Sequence, residues 1–259
     1  MTPRKLALIT GGGTGVGAAT AARLAALGYD LVLTFSRSEA EARATAQVCE
    51  AAGAAVLLQQ GDVADDSHCQ AAVAAAVERF GRLDVLVNNA GMTSFAGTTN
   101  WDAIDADVFQ RIVGVNALGS FQMIRAAAPH LTAAQGTIVN VSSIAGALGI
   151  GSSVAYIASK GALNAMTLYF ARALAPSVRV NAVCPGLIET RWFAQGVGAE
   201  AAARITQSFE ARAPLQRAAS ADDVAEAVVW LAHGARCTTG ELVLIDAGMH
   251  LGPGQATRV

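Results

Sequence analysis

Charged residues are scarce in this chain of 259 residues, at 15% of the total, and aromatic residues make up only 5%. The net charge at pH 7 is −2. A nearly neutral chain lacks the basic surface that attracts nucleic acid or an anionic membrane, so we expect neither as a partner. Hydrophobic residues reach 53%, which excludes the composition of disordered proteins, and the length suits one large domain.

The longest stretch without Asp, Glu, Lys or Arg covers residues 126–159. A membrane-spanning helix needs about 20 mostly apolar residues. Because Pro129, Asn140 and several glycines and serines interrupt this stretch, it predicts a buried strand between two helices instead. The chain also reaches a glycine-rich loop too early for a secretory signal. We therefore expect a cytoplasmic protein.

Metal-ligand spacings are missing as well. The four cysteines, Cys49, Cys69, Cys184 and Cys237, form no Cys-x-x-Cys pair, and no histidine stands at a metal-ligand spacing from any of them. We predict no metal site and interpret the cysteines as reduced thiols, most of them buried.

Short apolar runs alternate with helix-length segments along the chain. Several runs are continuously apolar, which is typical of strands buried on both faces of a parallel sheet. The predicted strands are 6–10, 31–35, 54–59, 85–88, 137–141, 179–183 and 242–245. The predicted helices are 15–27, 39–52, 65–80, 107–131, 155–175 and 221–232, and Ser220 with Asp223 resembles a capping box before the last.

This alternation predicts one α/β domain over residues 1–259, a doubly wound parallel sheet of about seven strands with helices on both faces. Residues 187–213 carry no strand signal, so we expect an excursion over the carboxyl edge of the sheet that contributes to substrate binding. Residues 252–259 are Gly, Pro and polar in character and predict a loose tail.

A glycine-rich loop joins the first predicted strand to the first helix. It contains Gly11, Gly13, Gly15 and Gly17, with Thr14 and Val16 between them. Glycine lets a ligand approach the backbone, and a helix N-terminus offers free N–H groups to a pyrophosphate. The loop predicts a dinucleotide site, with a tight turn that binds no ligand as the alternative.

The residues after the second strand bear on which dinucleotide binds. NAD sites usually place an acidic residue there for the ribose 2′-hydroxyl, yet no acid stands between Leu31 and Ser38. Ser36, Arg37 and Ser38 are present instead, and Arg can bind a phosphate through two hydrogen bonds. This favours NADP over NAD, unless Arg37 is an ordinary surface charge.

Tyr156 and Lys160 lie four residues apart in a predicted helix and share one face of it. Reduction of a carbonyl needs a proton for the oxygen, and a Tyr hydroxyl can donate it. A nearby ammonium stabilises the phenolate and lowers the pKa of the tyrosine. Ser142 and Ser143 end the fifth strand, where a hydroxyl could orient the substrate.

Together these segments resemble the short-chain dehydrogenase/reductase family, from Lys5 to Met249. The loop from Thr10 to Gly17 is similar to that family's TGxxxGxG motif, and Tyr156 with Lys160 is similar to its YxxxK motif. The other matching segments are Asp62-Val63, Asn88-Asn89-Ala90-Gly91, Asn116, Ser143 thirteen residues before Tyr156, and Asn181-Ala182-Val183-Cys184-Pro185-Gly186.

The resemblance implies a Rossmann-type fold and a role for each matched residue. Tyr156 is implied as the acid/base, Lys160 as the group that binds ribose and lowers the Tyr156 pKa, Ser143 as the group that polarises the carbonyl, and Asn116 as the holder of a relay water. Ser142 is expected to be structural. The further cofactor contacts implied are Asp62, Val63, Asn89, Ala90, Gly91, Pro185, Gly186, Ile188 and Thr190. Two departures from relatives are Thr14 in place of a basic residue and Ala247 in place of a glycine.

These expectations describe an NADPH-dependent carbonyl reductase, with a 3-oxoacyl thioester as the substrate type that the resemblance implies. The alternatives are an NAD-dependent alcohol or polyol dehydrogenase and a non-catalytic dinucleotide sensor. The predicted pocket is formed by residues 92–95, 144–153 and 187–213, with Phe95, Ile150, Trp192 and Phe193 as apolar contacts. Near this pocket only Arg125, Arg172 and Arg191 are candidates for docking an acyl carrier protein, and these are too few to predict one as a partner.

The resemblance also implies a homotetramer. The predicted helix 155–175 carries small residues at helical spacing, and in this family that helix commonly packs between subunits. These small residues are Ala158, Gly161, Ala162 and Ala165. The alternative is that they pack within one subunit.

Overall fold

All seven predicted strands form, and they lie side by side in one parallel sheet of order β3-β2-β1-β4-β5-β6-β7. The structure is a computed structural model that describes residues 4–96, 100–189 and 191–252, with only the backbone of Arg191, Trp192 and Gln195. The strands are β1 Leu6–Ile9, β2 Asp30–Phe35, β3 Val56–Gln60, β4 Val85–Asn88, β5 Thr137–Val141, β6 Arg179–Pro185 and β7 Leu242–Ile245.

Helices connect successive strands and cover both faces of the sheet. The helices are α1 Gly15–Ala26, α2 Glu39–Ala51, α3 Asp66–Phe80, α4 Ala106–Val113, α5 Gly119–Ala134, α6 Ile144–Leu148, α7 Val154–Ala173, α8 Arg191–Val197, α9 Ala199–Glu210 and α10 Ala221–Val229. Short 3-10 turns cover Trp101–Ala103 and Met249–Leu251. Within the described residues, none of these helices is both long and apolar enough to cross a membrane.

Alternate residues of each strand pack into two separate cores. In β1, Leu6 and Leu8 pack with residues of α3 and α5, whereas Ile9 packs with residues of α1 and α10. Both faces of the strand are therefore apolar, which is why the strands read as continuous apolar runs in the sequence. The prediction of a doubly wound α/β fold is confirmed.

Two predicted boundaries differ from the structure. The helix predicted over 107–131 is divided by a π-helical turn, Gly114–Leu118, between α4 and α5. The excursion over 187–213 contains α8 and α9, which were not predicted; in α9 only Ala202 and Phe209 are buried. The predicted tail lies outside the described residues apart from Gly252.

Local predictions at helix ends and cysteines are confirmed. Ser220 caps α10: its hydroxyl accepts a hydrogen bond from the Asp223 amide at 3.1 Å, and the Asp223 carboxylate accepts one from the Ser220 amide at 2.8 Å. All four cysteines are free thiols, and only Cys237 is exposed.

The topology places the predicted site residues on one edge of the sheet. The chain winds outward from β1 in one direction through β2 and β3, and from β4 in the other. In such sheets ligands bind in the crevice beyond the carboxyl ends of the strands, where the winding reverses. The glycine loop follows β1, Arg37 follows β2, Asp62 follows β3 and Ser143 follows β5.

Candidate active site

The glycine loop is tied to the residues that follow β4. The Thr10 hydroxyl accepts hydrogen bonds from the amides of Asn89, at 3.0 Å, and Ala90, at 2.9 Å. The Asn89 side chain donates in return to the carbonyls of Thr10, at 2.9 Å, and Gly11, at 3.0 Å. These bonds hold the loop and the Asn89–Gly91 segment together across the point where the winding reverses.

The start of α1 leaves no room for side chains. A Cβ at Gly17 would lie 2.3 Å from the Gly11 carbonyl oxygen and 2.6 Å from Asn89 Nδ2. Gly11 and Gly15 have φ of +63° and +51°, a conformation that favours glycine. A Cβ at Gly13 would lie 2.9 Å from the Ala42 amide of α2. Glycine is therefore required at these positions by backbone approach rather than by flexibility.

The N-terminus of α1 fits a phosphate group. Among the described residues, no side chain caps this helix and no acid stands in its first turn, although Thr14 occupies the capping position. The first N–H groups, around Val16, thus lack a side-chain partner, and the helix dipole favours an anion there. The uncapped amides, in a loop that its glycines hold close to α1, fit the phosphates of a dinucleotide.

At the end of β2, Ser36 and Arg37 are exposed and Ser38 is half-buried. Within the part of the chain that the structure describes, Arg37 has no ion-pair partner. The next acid, Glu39, forms an ion pair with Arg43 at 2.6 Å. As far as the described residues show, the Arg37 guanidinium is therefore available to a ligand.

Asp62 and Val63 follow β3 and are held by residues that the sequence did not reveal. The Asp62 carboxylate accepts a hydrogen bond from the Ala64 amide at 3.0 Å and pairs with Arg111 of α4. Desolvation alone would raise the pKa of Asp62, but the Ala64 amide and Arg111 outweigh it and lower the pKa. The Val63 carbonyl accepts a hydrogen bond from Gln122 at 2.7 Å.

Lys160 is buried next to the ring of Tyr156. Only 4% of its surface is exposed. Its Nζ donates to the Val141 carbonyl at 2.8 Å and lies 5.7 Å from the centre of the Tyr156 ring. Burial disfavours the ammonium and lowers the pKa of Lys160 to about 8, and Cys184 only partly opposes this effect.

Ser143 lies between the end of β5 and Tyr156. Its hydroxyl accepts from the Ala145 amide at 3.1 Å and is 3.5 Å from the Pro185 carbonyl. Burial raises the pKa of Tyr156, and a hydrogen bond with the Ser143 side chain opposes that rise. The lowering of the Tyr156 pKa expected from Lys160 is not seen, because its ammonium is directed to Val141 and not to the phenol oxygen.

Asn116 is fully buried inside the π-helical turn, a kind of distortion that often marks functional positions. Its side-chain oxygen accepts from the Met92 amide at 2.8 Å, and its Nδ2 donates to the Met92 carbonyl and to the Ser159 hydroxyl, both at 2.9 Å. Ser159 donates in turn to the Tyr156 carbonyl at 2.8 Å. Asn116 thus joins the loop after β4 to the helix that carries Tyr156.

The two serines that end β5 have different surroundings. Ser142 points away from Tyr156 and donates to Asn164 of α7 at 2.6 Å. The Cys184 thiol, from the end of β6, also faces Asn164, at 3.8 Å. Asn164 therefore links α7 to the ends of both strands, and Ser142 makes the structural contact expected of it.

The segment after β6 comes close to the last residues of the sheet. A Cβ at Gly186 would lie 3.1 Å from both Cα and Cβ of Asp246. Ile188 forms an isolated parallel bridge with Ala219. Pro185 and Gly186 are held next to Ser143 by these contacts, whereas Thr190 lies outside the described residues.

Three comparisons with known proteins agree with this geometry. A family model described as enoyl-(acyl carrier protein) reductase matches residues 11–250. A Streptomyces violaceoruber protein assigned as ketoacyl reductase 2 of the granaticin polyketide synthase is 42% identical over 247 residues, covering 95% of this chain and 96% of that protein. The chain is a short-chain dehydrogenase/reductase.

Other members of the family are also similar over their whole length. L-rhamnose 1-dehydrogenase (NAD(P)(+)) from a Sphingomonas strain is 35% identical and covers 95% of this chain and 96% of that protein. A crystal structure assigned to a short-chain dehydrogenase/reductase from Burkholderia xenovorans superposes with a TM-score of 0.89 at 36% identity, covering 97% of this chain and all of the other.

Membership makes this short-chain dehydrogenase/reductase an oxidoreductase that acts on CH–OH or C=O groups of small molecules with an NAD(P) cofactor. The family resemblance found in the sequence is confirmed. The motifs did not reveal Arg111, Ser159 or Asn164, which act on the matched residues through long-range contacts. Ser159 and Asn164 left a signal, because they lie three residues after Tyr156 and four residues after Lys160 on the same helix.

Proposed function

We propose that this enzyme is an NADPH-dependent reductase that transfers hydride to a carbonyl carbon, in the cytoplasm. The observation that carries the proposal is the meeting of three groups at the carboxyl edge of the sheet. The Ser143 hydroxyl faces the Tyr156 phenol, and Lys160 is buried beneath them. This is the arrangement needed to protonate an oxygen while a hydride reaches the adjacent carbon.

Each of these groups has one task in the proposed reaction. Tyr156 donates its proton to the carbonyl oxygen, and its raised pKa keeps it protonated at neutral pH. Ser143 donates a hydrogen bond to the same oxygen. Lys160, with a pKa of about 8, carries a positive charge at pH 7 at 5.7 Å from the centre of the Tyr156 ring, and its proposed task is to bind the ribose of the dinucleotide. Asn116 holds the water through which Tyr156 recovers a proton.

The dinucleotide, when bound, supplies the hydride. Its proposed contacts follow the carboxyl ends of the strands and the start of α1, where the first amides of the helix have no side-chain cap. These contacts are Gly11, Gly13, Thr14, Gly15, Val16, Gly17, Ser36, Arg37, Ser38, Asp62, Val63, Asn89, Ala90, Gly91, Tyr156, Lys160, Pro185, Gly186, Ile188 and Thr190.

The preference for NADPH rests on Arg37, which is exposed and unpaired among the described residues. We expect Arg37→Ala to raise the KM for NADPH about tenfold to a hundredfold, because a charged hydrogen bond to phosphate contributes about 1.5–3 kcal/mol. The KM for NADH should stay nearly constant. Arg43→Ala is the matched control, since Arg43 pairs with Glu39 on the same helix. If Arg37→Ala raised the KM for NADPH and the KM for NADH equally, the assignment of Arg37 to the 2′-phosphate of NADPH would be refuted.

The chemistry is tested with a broad carbonyl panel and NADPH. Tyr156→Phe should reduce turnover by about 10²–10⁴-fold, the scale of a lost proton donor. Tyr169→Phe is the control, because Tyr169 is 64% exposed on α7. Unchanged turnover in Tyr156→Phe would exclude the mechanism. Absence of cofactor consumption by the natural sequence across the panel would favour a dinucleotide sensor.

An NAD-dependent alcohol or polyol dehydrogenase is the second candidate. It is favoured by one observation, the similarity to a relative named L-rhamnose 1-dehydrogenase (NAD(P)(+)). Oxidation of L-rhamnose and other polyols with NAD⁺, compared with ketone reduction by NADPH, separates the two candidates. A higher kcat/KM for polyol oxidation with NAD⁺ than for ketone reduction by NADPH would make the dehydrogenase the better supported candidate.

A 3-oxoacyl thioester is the proposed substrate type, supported by the relative assigned as a ketoacyl reductase. Recognition of a carrier protein requires free basic residues near the site. Arg125 forms an ion pair with Asp66 and is therefore not a free docking charge. We expect acetoacetyl-coenzyme A to be reduced without a carrier protein, and strict dependence on one would contradict this.

A homotetramer is proposed from the outer face of α7. Ala158, Ala162 and Ala165 are exposed there, beside Leu168 and Tyr169, so these small residues do not pack within the subunit. Close helix contact between subunits would cover them. Light scattering should give about four times the 26.3 kDa chain mass, and Ala162→Arg should yield smaller species.

A further inference from the structure

Two phenylalanines from distant segments meet edge to face beside the active site. Phe95 belongs to the loop after β4, and Phe193 belongs to α8. Their ring centres are 5.8 Å apart with an interplanar angle of 62°, the arrangement that aromatic pairs prefer. Both side chains are half-buried.

Gly196 brings α8 into direct contact with this pair. A Cβ at Gly196 would lie 2.1 Å from Cε2 and 2.6 Å from Cδ2 of Phe95. No larger residue could stand there unless the Phe95 ring moved. The Phe95 ring therefore lies against the backbone of α8, and the contact is specified at a third position of the sequence.

The other side of the Phe95 loop is attached to the turn before Tyr156. The hydroxyls of Thr93 and Ser152 are 2.6 Å apart, and the Ala96 amide donates to the Ser152 carbonyl at 2.9 Å. A Cβ at Gly151, the preceding residue, would lie 3.6 Å from Cδ1 of Tyr156. The loop after β4 that carries Phe95 thus connects the residues beside the Tyr156 ring to helix α8.

We propose that Phe95 and Phe193 form an apolar cover over the substrate and select carbonyl compounds with an aromatic or cyclic hydrocarbon group near the C=O. This inference rests on the proposed carbonyl reduction and names its substrate class. The nearby hydroxyls of Thr93 and Ser152 bond to each other, so one of their two protons is not available to a sugar hydroxyl. A polyol placed under two aromatic rings would lose hydrogen bonds to water without replacement.

The test compares two 3-oxoesters that share the reacting group. With NADPH, the natural enzyme should give a kcat/KM at least tenfold higher for ethyl benzoylacetate than for ethyl acetoacetate, and higher still than for 1,3-dihydroxyacetone. Phe193→Ala should lower kcat/KM for the aromatic ester about tenfold, mainly through KM, because an apolar pocket contact is lost. Activity on ethyl acetoacetate should change less than about twofold. Gly196→Ala should reproduce the pattern by displacing Phe95.

Phe109→Ala is the matched control, because Phe109 is a partly exposed phenylalanine of α4 outside this contact. Equal preference for the two esters, or equal losses in Phe193→Ala and Phe109→Ala, would overturn the proposal while leaving carbonyl reduction intact. Binding of ethyl benzoylacetate to NADPH-loaded Tyr156→Phe, measured by calorimetry, needs no turnover. The affinity of this variant for ethyl benzoylacetate should fall about tenfold when Phe193→Ala is added to Tyr156→Phe. Unchanged affinity there would overturn the proposal even if the proposed reaction fails.

Discussion

Removal of the buried lysine should make the protein more stable and, at the same time, inactive. The chain has two lysines, Lys5 and Lys160. Lys160 is 4% exposed, and burial lowers its pKa from the ordinary value of 10.5 to about 8. That lowering corresponds to about 3 kcal/mol by which the folded state disfavours the ammonium at neutral pH. Lys160→Met removes this cost.

One contact opposes the gain. The Val141 carbonyl accepts a hydrogen bond from Lys160 Nζ at 2.8 Å and would lose its partner in the variant. An unsatisfied buried carbonyl costs about 1–3 kcal/mol. The net expectation at pH 7 is an increase of about 0–2 kcal/mol in the free energy of unfolding. Turnover should fall to near zero, because the cation beside the Tyr156 ring and its proposed contact with the cofactor ribose would be lost.

The stability advantage of Lys160→Met should change with pH in a direction that follows from the lowered pKa of Lys160. The folded pKa lies below the unfolded one, so between about pH 8 and 10.5 the unfolded chain holds more protons and stability rises with pH. The advantage of Lys160→Met should therefore shrink by about 1.4 kcal/mol between pH 7 and pH 9.

Urea unfolding followed by circular dichroism, at one protein concentration and without cofactor, measures both effects. Lys5→Met is the control, because Lys5 is exposed. The reasoning would be refuted if Lys160→Met were less stable than the natural protein at pH 7, or if its advantage stayed constant up to pH 9.

Three further predictions follow from the same contacts. The kcat/KM for reduction should fall above pH about 8, as Lys160 loses its proton; a profile that stays flat to pH 10 would contradict this. Gly17→Ala should weaken NADPH binding more than about tenfold by calorimetry, because its Cβ would lie 2.3 Å from the Gly11 carbonyl, whereas Gly234→Ala, with 3.5 Å to its nearest neighbour, should not. Ser220→Ala should lower the free energy of unfolding by about 1 kcal/mol through loss of its cap, and an unchanged urea midpoint would count against that contact.

The sheet and its order of elements could be predicted because each strand is buried on both faces. The run from Leu6 to Ile9, for example, supplies alternate residues to two cores, so its apolar character is continuous and its length short. The helices α8 and α9 could not be predicted in the same way. In α9 only Ala202 and Phe209 are buried, so this helix makes few contacts with the rest of the fold.

The catalytic residues could be predicted because their spacing is local. Tyr156 and Lys160 share a helix face at a separation of four residues, and Ser143 ends a strand. The environment of each was not predictable. Burial lowers the pKa of Lys160 and Cys184 opposes the lowering, while the ammonium donates to Val141; these two partners belong to strands β6 and β5, far from Lys160 in the sequence.

The amino-acid sequence by itself determined the doubly wound sheet, the glycine loop and the family, because these depend on periodicity and on residues close together along the chain. Tertiary structure alone decided the ion pair of Asp62 with Arg111 and the aromatic contact of Phe95 with Phe193. The partners in each pair lie on different elements, and the folding of the sheet brings them together at its carboxyl edge. Contacts of this kind leave no periodic signal, because their geometry depends on how separate elements pack and not on the order of residues within one of them.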